Sequence, residues 1–297
     1  MVILLALLLL APACFGQSFT VNDPAFGPAP ATTATTLLLD STTNTAKAAY
    51  STSRKLRAAY SGNAFKVRRA SDNTTQDIGF SGNDVDVSAL TTFVGATNGY
   101  VQVWYDQSGN GINLTNDATS KDVPITDSSG TVYTGNDGKP AMYILGDGTV
   151  NLSAGISLNL PVDWFVVFDN ISMVSVNVLV SGGSTTRLAF KQLTGGNRMR
   201  LDNGGATADD ATAISTGTWY VGFQHCETGA SDFIRINANS STVANAGDNT
   251  LALLFLGYVD STSAEFKISE WVIYNQPVIV ADETTSRNNI NTHYLLF

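Results

Sequence analysis

Charge is scarce in this chain: Asp, Glu, Lys and Arg make up 14% of its 297 residues, against about 25% in an ordinary soluble domain. Cys and His are scarcer still, with two of each. The basic residues (16 against 25 acidic, net charge −9) are too few for a nucleic-acid binder, which neutralises phosphates with clustered Lys and Arg. Two cysteines, Cys14 and Cys226, exclude a disulfide-stapled scaffold. Scattered through the chain with His225 and His293, they offer zinc no ligand set. No Gly-x-Ser-x-Gly motif accompanies either histidine, so nothing points to a serine esterase or protease. Apolar runs of about 20 residues, which a multi-pass membrane protein needs, are also missing. What fills the space is Gly (26 residues), Thr, Ser and Asn, beside 43% hydrophobic residues. That is enough to bury a core and to exclude disorder.

The longest apolar run, Val2 to Ala11, has the length of a signal-peptide core, and the small residues Cys14 and Gly16 permit cleavage before Gln17. This implies an extracellular or cell-surface protein. No Lys or Arg precedes the run, so a retained segment, buried in the chain or in an assembly such as a virion, is the alternative. Ala11-Pro12-Ala13-Cys14 lacks the Leu of a lipoprotein box. Residues 1–16 are therefore read as signal-like, and residues 17–45, with Pro24, Pro28 and Pro30, as an arm or linker able to lie on a neighbouring subunit. Residues 46–297 make one large domain.

Within that domain, Ala46 to Tyr60 reads as a helix, with Ala49, Leu56 and Tyr60 on one face. Short β-type runs follow, separated by Gly, Asn and Asp. They are Ala64–Arg69, Tyr100–Tyr105, Ala141–Leu145, Trp164–Phe168, Val174–Val180, Arg187–Lys191, Arg198–Leu201, Trp219–Cys226, Phe233–Asn237, Leu251–Leu256 and Phe266–Tyr274. Many short strands without intervening helices indicate an antiparallel sandwich. Asp282 to Tyr294 closes the chain as a helix that Asp282 can cap, with Ile290 and Tyr294 facing inward. His225 and Cys226 are neighbours, but on an alternating strand a lone Cys is a small core residue. The cluster Arg54, Lys55, Arg57, Lys66, Arg68 and Arg69 is expected to pair with acids such as Asp72 and Asp77, or to lie solvated. Asp84-Val85-Asp86 could offer Ca²⁺ two carboxylates, well short of the six to eight oxygens it takes; no other cofactor is indicated.

Three stretches are distinctive. One runs Ala49-Tyr50-Ser51-Thr52-Ser53-Arg54-Lys55-Leu56, then Tyr60-Ser61-Gly62 and Val67-Arg68-Arg69-Ala70-Ser71-Asp72-Asn73. The second is Trp104-Tyr105-Asp106-Gln107-Ser108-Gly109-Asn110-Gly111 with Asn113, Leu114 and Thr115. The third pairs the turn Asn136–Ala141 with the ending Ser269-Glu270-Trp271-Val272-Ile273-Tyr274-Asn275. Together they resemble the catalytic domain of the α-L-arabinofuranosidase B family over about residues 46–297. The resemblance implies a concanavalin A-like antiparallel β-sandwich (jelly roll). Physically, Asp106 to Gly111 is foremost a turn whose side chains bond their own backbone, with two glycines free to take positive φ.

The resemblance also implies a carboxylate pair, as a retaining glycosidase requires. It puts the nucleophilic Glu in a Gly-Asn-Ala-Glu-like loop, matched here by Val180 to Thr186, which holds no carboxylate. None occurs between Asp169 and Asp202, and Thr185 lacks a base to replace one. The family's acid/base Asp has its counterpart in Asp260, within Leu256-Gly257-Tyr258-Val259-Asp260, while its paired cysteines are absent. The expectation is a non-catalytic carbohydrate-binding or assembly module on a cell surface or phage particle, with Asp260, Tyr258, Ser184 and Thr185 around the sugar. The alternative is a secreted arabinofuranosidase whose nucleophile is relocated to Asp202, Asp209 or Asp210. Asn-x-Ser/Thr triplets begin at Asn73, Asn113, Asn151, Asn170 and Asn239 and have meaning in a host that glycosylates secreted proteins.

Overall fold

The computed structural model describes residues 36–116, 122–144, 152–171, 177–181, 189–192, 198–202, 207–210, 213–228, 232–239, 242–244, 251–256 and 265–297. The first third of the chain supplies β1 (Ala48–Ser51), β2 (Phe65–Arg69), β3 (Thr75–Ile78), β4 (Phe80–Ser81), β5 (Asp84–Val85), α1 (Val87–Val94), β6 (Gly99–Trp104) and β7 (Leu114–Thr115). The middle adds β8 (Met142–Ile144), β9 (Leu152–Leu158), β10 (Val162–Asn170), β11 (Asn177–Ser181), β12 (Ala189–Gln192), β13 (Met199–Asp202) and β14 (Thr207–Asp209). Last come β15 (Trp219–Cys226), β16 (Asp232–Ile236), β17 (Thr242–Ala244), β18 (Leu251–Leu256), β19 (Phe266–Tyr274) and α2 (Val280–Tyr294).

All the pairings are antiparallel. A seven-stranded sheet runs β1-β19-β10-β15-β16-β17 with β8 extending along β19, and a ten-stranded sheet runs β14-β13-β12-β11-β18-β9-β7-β6-β2-β3. The main core lies between them: Val67, Val101 and Trp104 of the larger sheet share one cluster with Trp164, Val166, Phe168, Trp271 and Ile273 of the smaller. The smaller sheet is buried on its outer face too, where Phe165, Val167, Phe223, Val272 and Tyr274 pack against Leu38, Leu56, Ile290 and Tyr294. A strand covered on both faces reads as an unbroken apolar run, which is why Trp164 to Phe168 shows no alternation.

Two sequence expectations need correction. Ala46 to Tyr60 is not helical: Ala48 and Tyr50 face the main core while Ala49 faces the outer cluster. That period of two belongs to β1, pinned to β19 with Tyr50 opposite Trp271. The early helix is α1 instead, started by Asp86, whose side chain accepts from the Ala89 N–H at 2.8 Å, and ended at Gly95 with φ of 63°. Asp282, for its part, does not cap α2. It lies in the first turn and accepts from the Thr43 N–H, the Thr43 hydroxyl and the Asn44 N–H at 2.7–2.9 Å. Ile290 and Tyr294 are buried as expected. Leu38 is fully buried as well, so the chain from Thr36 onward packs as part of the sandwich unit.

Candidate functional site

The most distinctive motif turns out to hold the fold. Asp106 is 4% exposed, and its carboxylate accepts from the N–H groups of Ala49, Ser108 and Ile112 and from the Ser108 hydroxyl, at 2.8–3.1 Å. Gln107 accepts from the Leu56 N–H at 2.8 Å and donates to the Arg54 carbonyl. The Asn110 amide donates to the carbonyls of Ala46 and Lys47. Gly109 and Gly111 take φ of 97° and 73°, where a side chain would strain the turn. The loop after β6 is thus tied to the chain around β1.

Four of the six basic side chains of the cluster meet acids, while Arg57 donates to the Ser108 carbonyl and Lys55 lies over the Phe80 ring. Arg54 and Glu270, both buried, meet through two hydrogen bonds of 2.8 Å. Arg54 also donates to Asn289 at 2.7 Å, and the Tyr294 hydroxyl reaches Glu270 at 3.1 Å. Arg69 binds Asp72, Arg68 binds Asp122, and Lys66 lies 3.9 Å from Asp77. The Ser53 hydroxyl sits 3.0 Å from His293 Nε2 and 2.6 Å from the Tyr294 hydroxyl. Burial, then the charges of Arg54 and Lys139, push His293 down to about 2. Ser53 is 1% exposed, so no substrate reaches this pair.

His225 and Cys226 point to opposite faces of β15. Cys226 is sealed in the main core, and burial pushes its thiol well up. His225 Nδ1 lies 2.6 Å from Asp163, whose other oxygen accepts the Val278 N–H at 2.7 Å. Burial opposes the imidazolium, yet Asp163 and Glu227 raise its pKa overall. Asp169 was not foreseen from the sequence. It is 3% exposed, Lys267 Nζ stands 3.8 Å from one oxygen, and the other oxygen has no hydrogen-bond partner among the described residues. Burial raises this carboxyl to about 6, against the pull of Lys267 and the Gly217 N–H. The neighbouring Trp164 to Phe168 run advertised a buried strand, but nothing in it announced a buried acid at the end.

Among the described residues, the broad face left uncovered is the outer face of the ten-stranded sheet. It presents half-exposed Lys66, Tyr100, Gln102, Val103 and Tyr105. The Tyr105 hydroxyl donates to Asp77 at 2.7 Å. Burial, then the charge of Asp106, pushes neighbouring Tyr60 up to about 12. One register row crosses all ten strands. From one edge it reads Thr207, Asp202, Ala189, Ser181 and Phe255, then Ser153, Thr115, Val103, Lys66 and Asp77.

This row bears on the residues singled out from sequence. Asp260, Tyr258, Ser184 and Thr185 lie outside the described residues, as do residues 1–35 of the signal-like segment and arm. Their strands are described. β11 ends at Ser181 and β18 at Leu256, with Ser181 opposite Phe255 and Val180 opposite Leu256. The two strands are antiparallel, so the chain leaves toward residues 182–188 and 257–264 from neighbouring points but in opposite directions. Asp202 ends β13 on the same row, and Asp209 lies on β14 opposite Arg200. Asp210 is fully buried. At the suggested Ca²⁺ loop, Asp86 is engaged as the cap of α1.

A strand framework with this turn and this uncovered face can be compared with known proteins. Residues 38–148 match the family model of the α-L-arabinofuranosidase B catalytic domain. The α-L-arabinofuranosidase B of Aspergillus niger is 43% identical over 70 residues, which is 23% of this chain and 14% of that protein. Its counterpart in Emericella nidulans is 44% identical over the same length. The chain thus spans a small part of the curated relatives it matches. The fold match is wider. A glycoside-hydrolase family 54 α-L-arabinofuranosidase soaked with a cyclic sulfate inhibitor overlays with a TM-score of 0.68 at 18% identity, covering 86% of this chain and 64% of that one. An arabinofuranosidase complexed with arabinofuranosyl-α-1,2-xylobiose gives 0.64 at 17% identity with the same coverage. The sandwich expected from the sequence is therefore the fold, and its resemblance to the arabinofuranosidase catalytic domain stands.

Proposed function

We propose that this chain acts on α-L-arabinofuranosyl groups as a glycoside hydrolase, with Asp202 as nucleophile and Asp260 as acid/base. What supports this reading is the row Asp202–Ala189–Ser181–Phe255. It sets Asp202 two strands, about 10 Å at ordinary strand spacing, from the end of β11, whose last residues pair with the end of β18 ahead of Asp260. A retaining mechanism needs carboxyl groups about 5–5.5 Å apart, so the proposal requires the segment after β18 to turn back over β11. In that scheme Asp202 attacks the anomeric carbon to form a glycosyl ester. Asp260 protonates the departing oxygen and then deprotonates the incoming water. The signal-like start, Val2 to Ala11, supports action outside the cell.

A second reading, binding of arabinofuranosyl glycans without hydrolysis in adhesion or particle assembly, is favoured by one observation. The segment between Asp169 and Asp202 has no carboxylate. Incubation with 4-nitrophenyl α-L-arabinofuranoside separates the two readings. Hydrolysis predicts release of nitrophenol, falling by about 10²–10⁴-fold in Asp260→Asn and in Asp202→Asn. Saccharide binding in calorimetry with no release would select the second reading and overturn the first.

A further inference from the structure

Of the five Asn-x-Ser/Thr triplets, those at Asn73 and Asn113 lie wholly within the described residues, and they differ. Asn113 is half-buried, its amide oxygen accepts from the Asp106 N–H at 3.0 Å, and Leu114 after it is fully buried. Asn73, Thr74 and Thr75 are all exposed at the turn from β2 to β3. Asn73 takes φ of 60°, a left-handed conformation that Asn tolerates better than most residues. Its N–H closes the turn on the Arg69 carbonyl at 3.0 Å. Its side-chain oxygen accepts from Arg68 Nη1 at 2.7 Å. A guanidinium only donates, so the amide oxygen must face Arg68 and Nδ2 must face away. Nδ2 has no hydrogen bond among the described residues.

We propose that Asn73 is an N-glycan acceptor, modified when the chain enters a membrane compartment that holds an oligosaccharyltransferase and lipid-linked oligosaccharide. In the transfer, Nδ2 bonds to the anomeric carbon of the first N-acetylglucosamine and loses one proton. The bond from that carbon to the lipid diphosphate breaks, and the diphosphate departs with the electron pair. No oxidant or reductant is involved. The product is still an amide with its carbonyl oxygen, so the Arg68 contact survives. The sugar also gains a task there. β3 is the terminal strand of the ten-stranded sheet, and an unpaired edge invites pairing between molecules unless something covers it. The inference is independent of any arabinofuranosyl chemistry.

The test is secretion of the full chain from yeast behind a heterologous cleavable leader, with protease protection confirming translocation, so that the native start of the chain plays no part. Glycopeptide mass spectrometry should find Asn73 occupied. Peptide N-glycosidase should shift the band, and both Asn73→Gln and Thr75→Ala should remove that glycan. A translocated, folded chain whose Asn73 peptide is unmodified would overturn the proposal. Equal aggregation rates for the glycosylated chain and Asn73→Gln would overturn the shielding role.

Discussion

Asp106 and Asp169 show what decides the fate of a carboxylate. Asp106 is surrounded by donors, and Asp106→Ala would leave buried N–H groups of Ala49 and Ser108 without partners. Each such group costs about 1–3 kcal/mol. A loss of roughly 2–4 kcal/mol is therefore expected in urea unfolding, and a change below 1 kcal/mol would refute the structural assignment of the turn. Asp169 is the opposite case, with one oxygen unpartnered among the described residues and a carboxyl raised from 3.8 to about 6. The folded chain then binds that proton more tightly than the unfolded one. Stability from this group is full below pH 4 and is lost as pH rises through 6. Asp169→Asn should thus stabilise the protein at pH 7–8 by about 1–2 kcal/mol, allowing for partial screening. Below pH 4 the gain should vanish. Melting temperatures of both forms at the two pH values check the sign.

Helix α2 is held by an ion pair rather than by a strong apolar stripe of its own. Arg54 after β1 and Glu270 in β19 are buried together, and Arg54 and Glu270 reach Asn289 and Tyr294 of α2. Removing one partner leaves a buried charge, which costs about 3–5 kcal/mol, while replacing both with apolar residues is far milder. Arg54→Met alone should therefore destabilise strongly, and Arg54→Met combined with Glu270→Met should recover much of the loss. Simple additivity in a double-mutant cycle would contradict this picture. Elements also differ in how plainly the sequence announces them. Trp219–Cys226, Leu251–Leu256 and Phe266–Tyr274 keep their expected ends because hydrophobic strands end at polar or Gly-rich turns. β9 was missed because Gly155 interrupts its pattern. α1 was missed because its β-branched residues obscure a good Asp cap and a Gly stop.

For the molecule as a whole, the asymmetry of the two sheets matters most. The smaller sheet is covered on both faces, by the larger sheet and by the α2 side, so the proposed saccharide site is confined to the outer face of the larger sheet and the loops around it. Deleting residues 275–297 would bare Phe165, Phe223 and Val272. A truncated chain should bind the dye ANS or precipitate; a soluble truncation that unfolds cooperatively would contradict the role given to α2. The candidate site is less legible than the fold. Residue types told which carboxylates were absent from Val180 to Thr186, but only the register row relates Asp202 to the ends of β11 and β18.

By itself the sequence determined the sandwich, the Asp106–Gly111 turn and the buried terminal helix. These rest on local signals: period-two hydrophobicity, turn chemistry and the i, i+4 pair Ile290 and Tyr294. The tertiary structure decided what depends on contacts between distant segments. Ala48 to Ser51 became strand because β19 offers hydrogen-bond partners along its edge there, an advantage that helical spacing could not match. Arg54 found Glu270, 216 residues away, because β1, just before Arg54, pairs with β19, and neither residue carries that partner in its neighbourhood. Asp169 acquired its raised pKa from burial, a property of the packed molecule and of no residue alone.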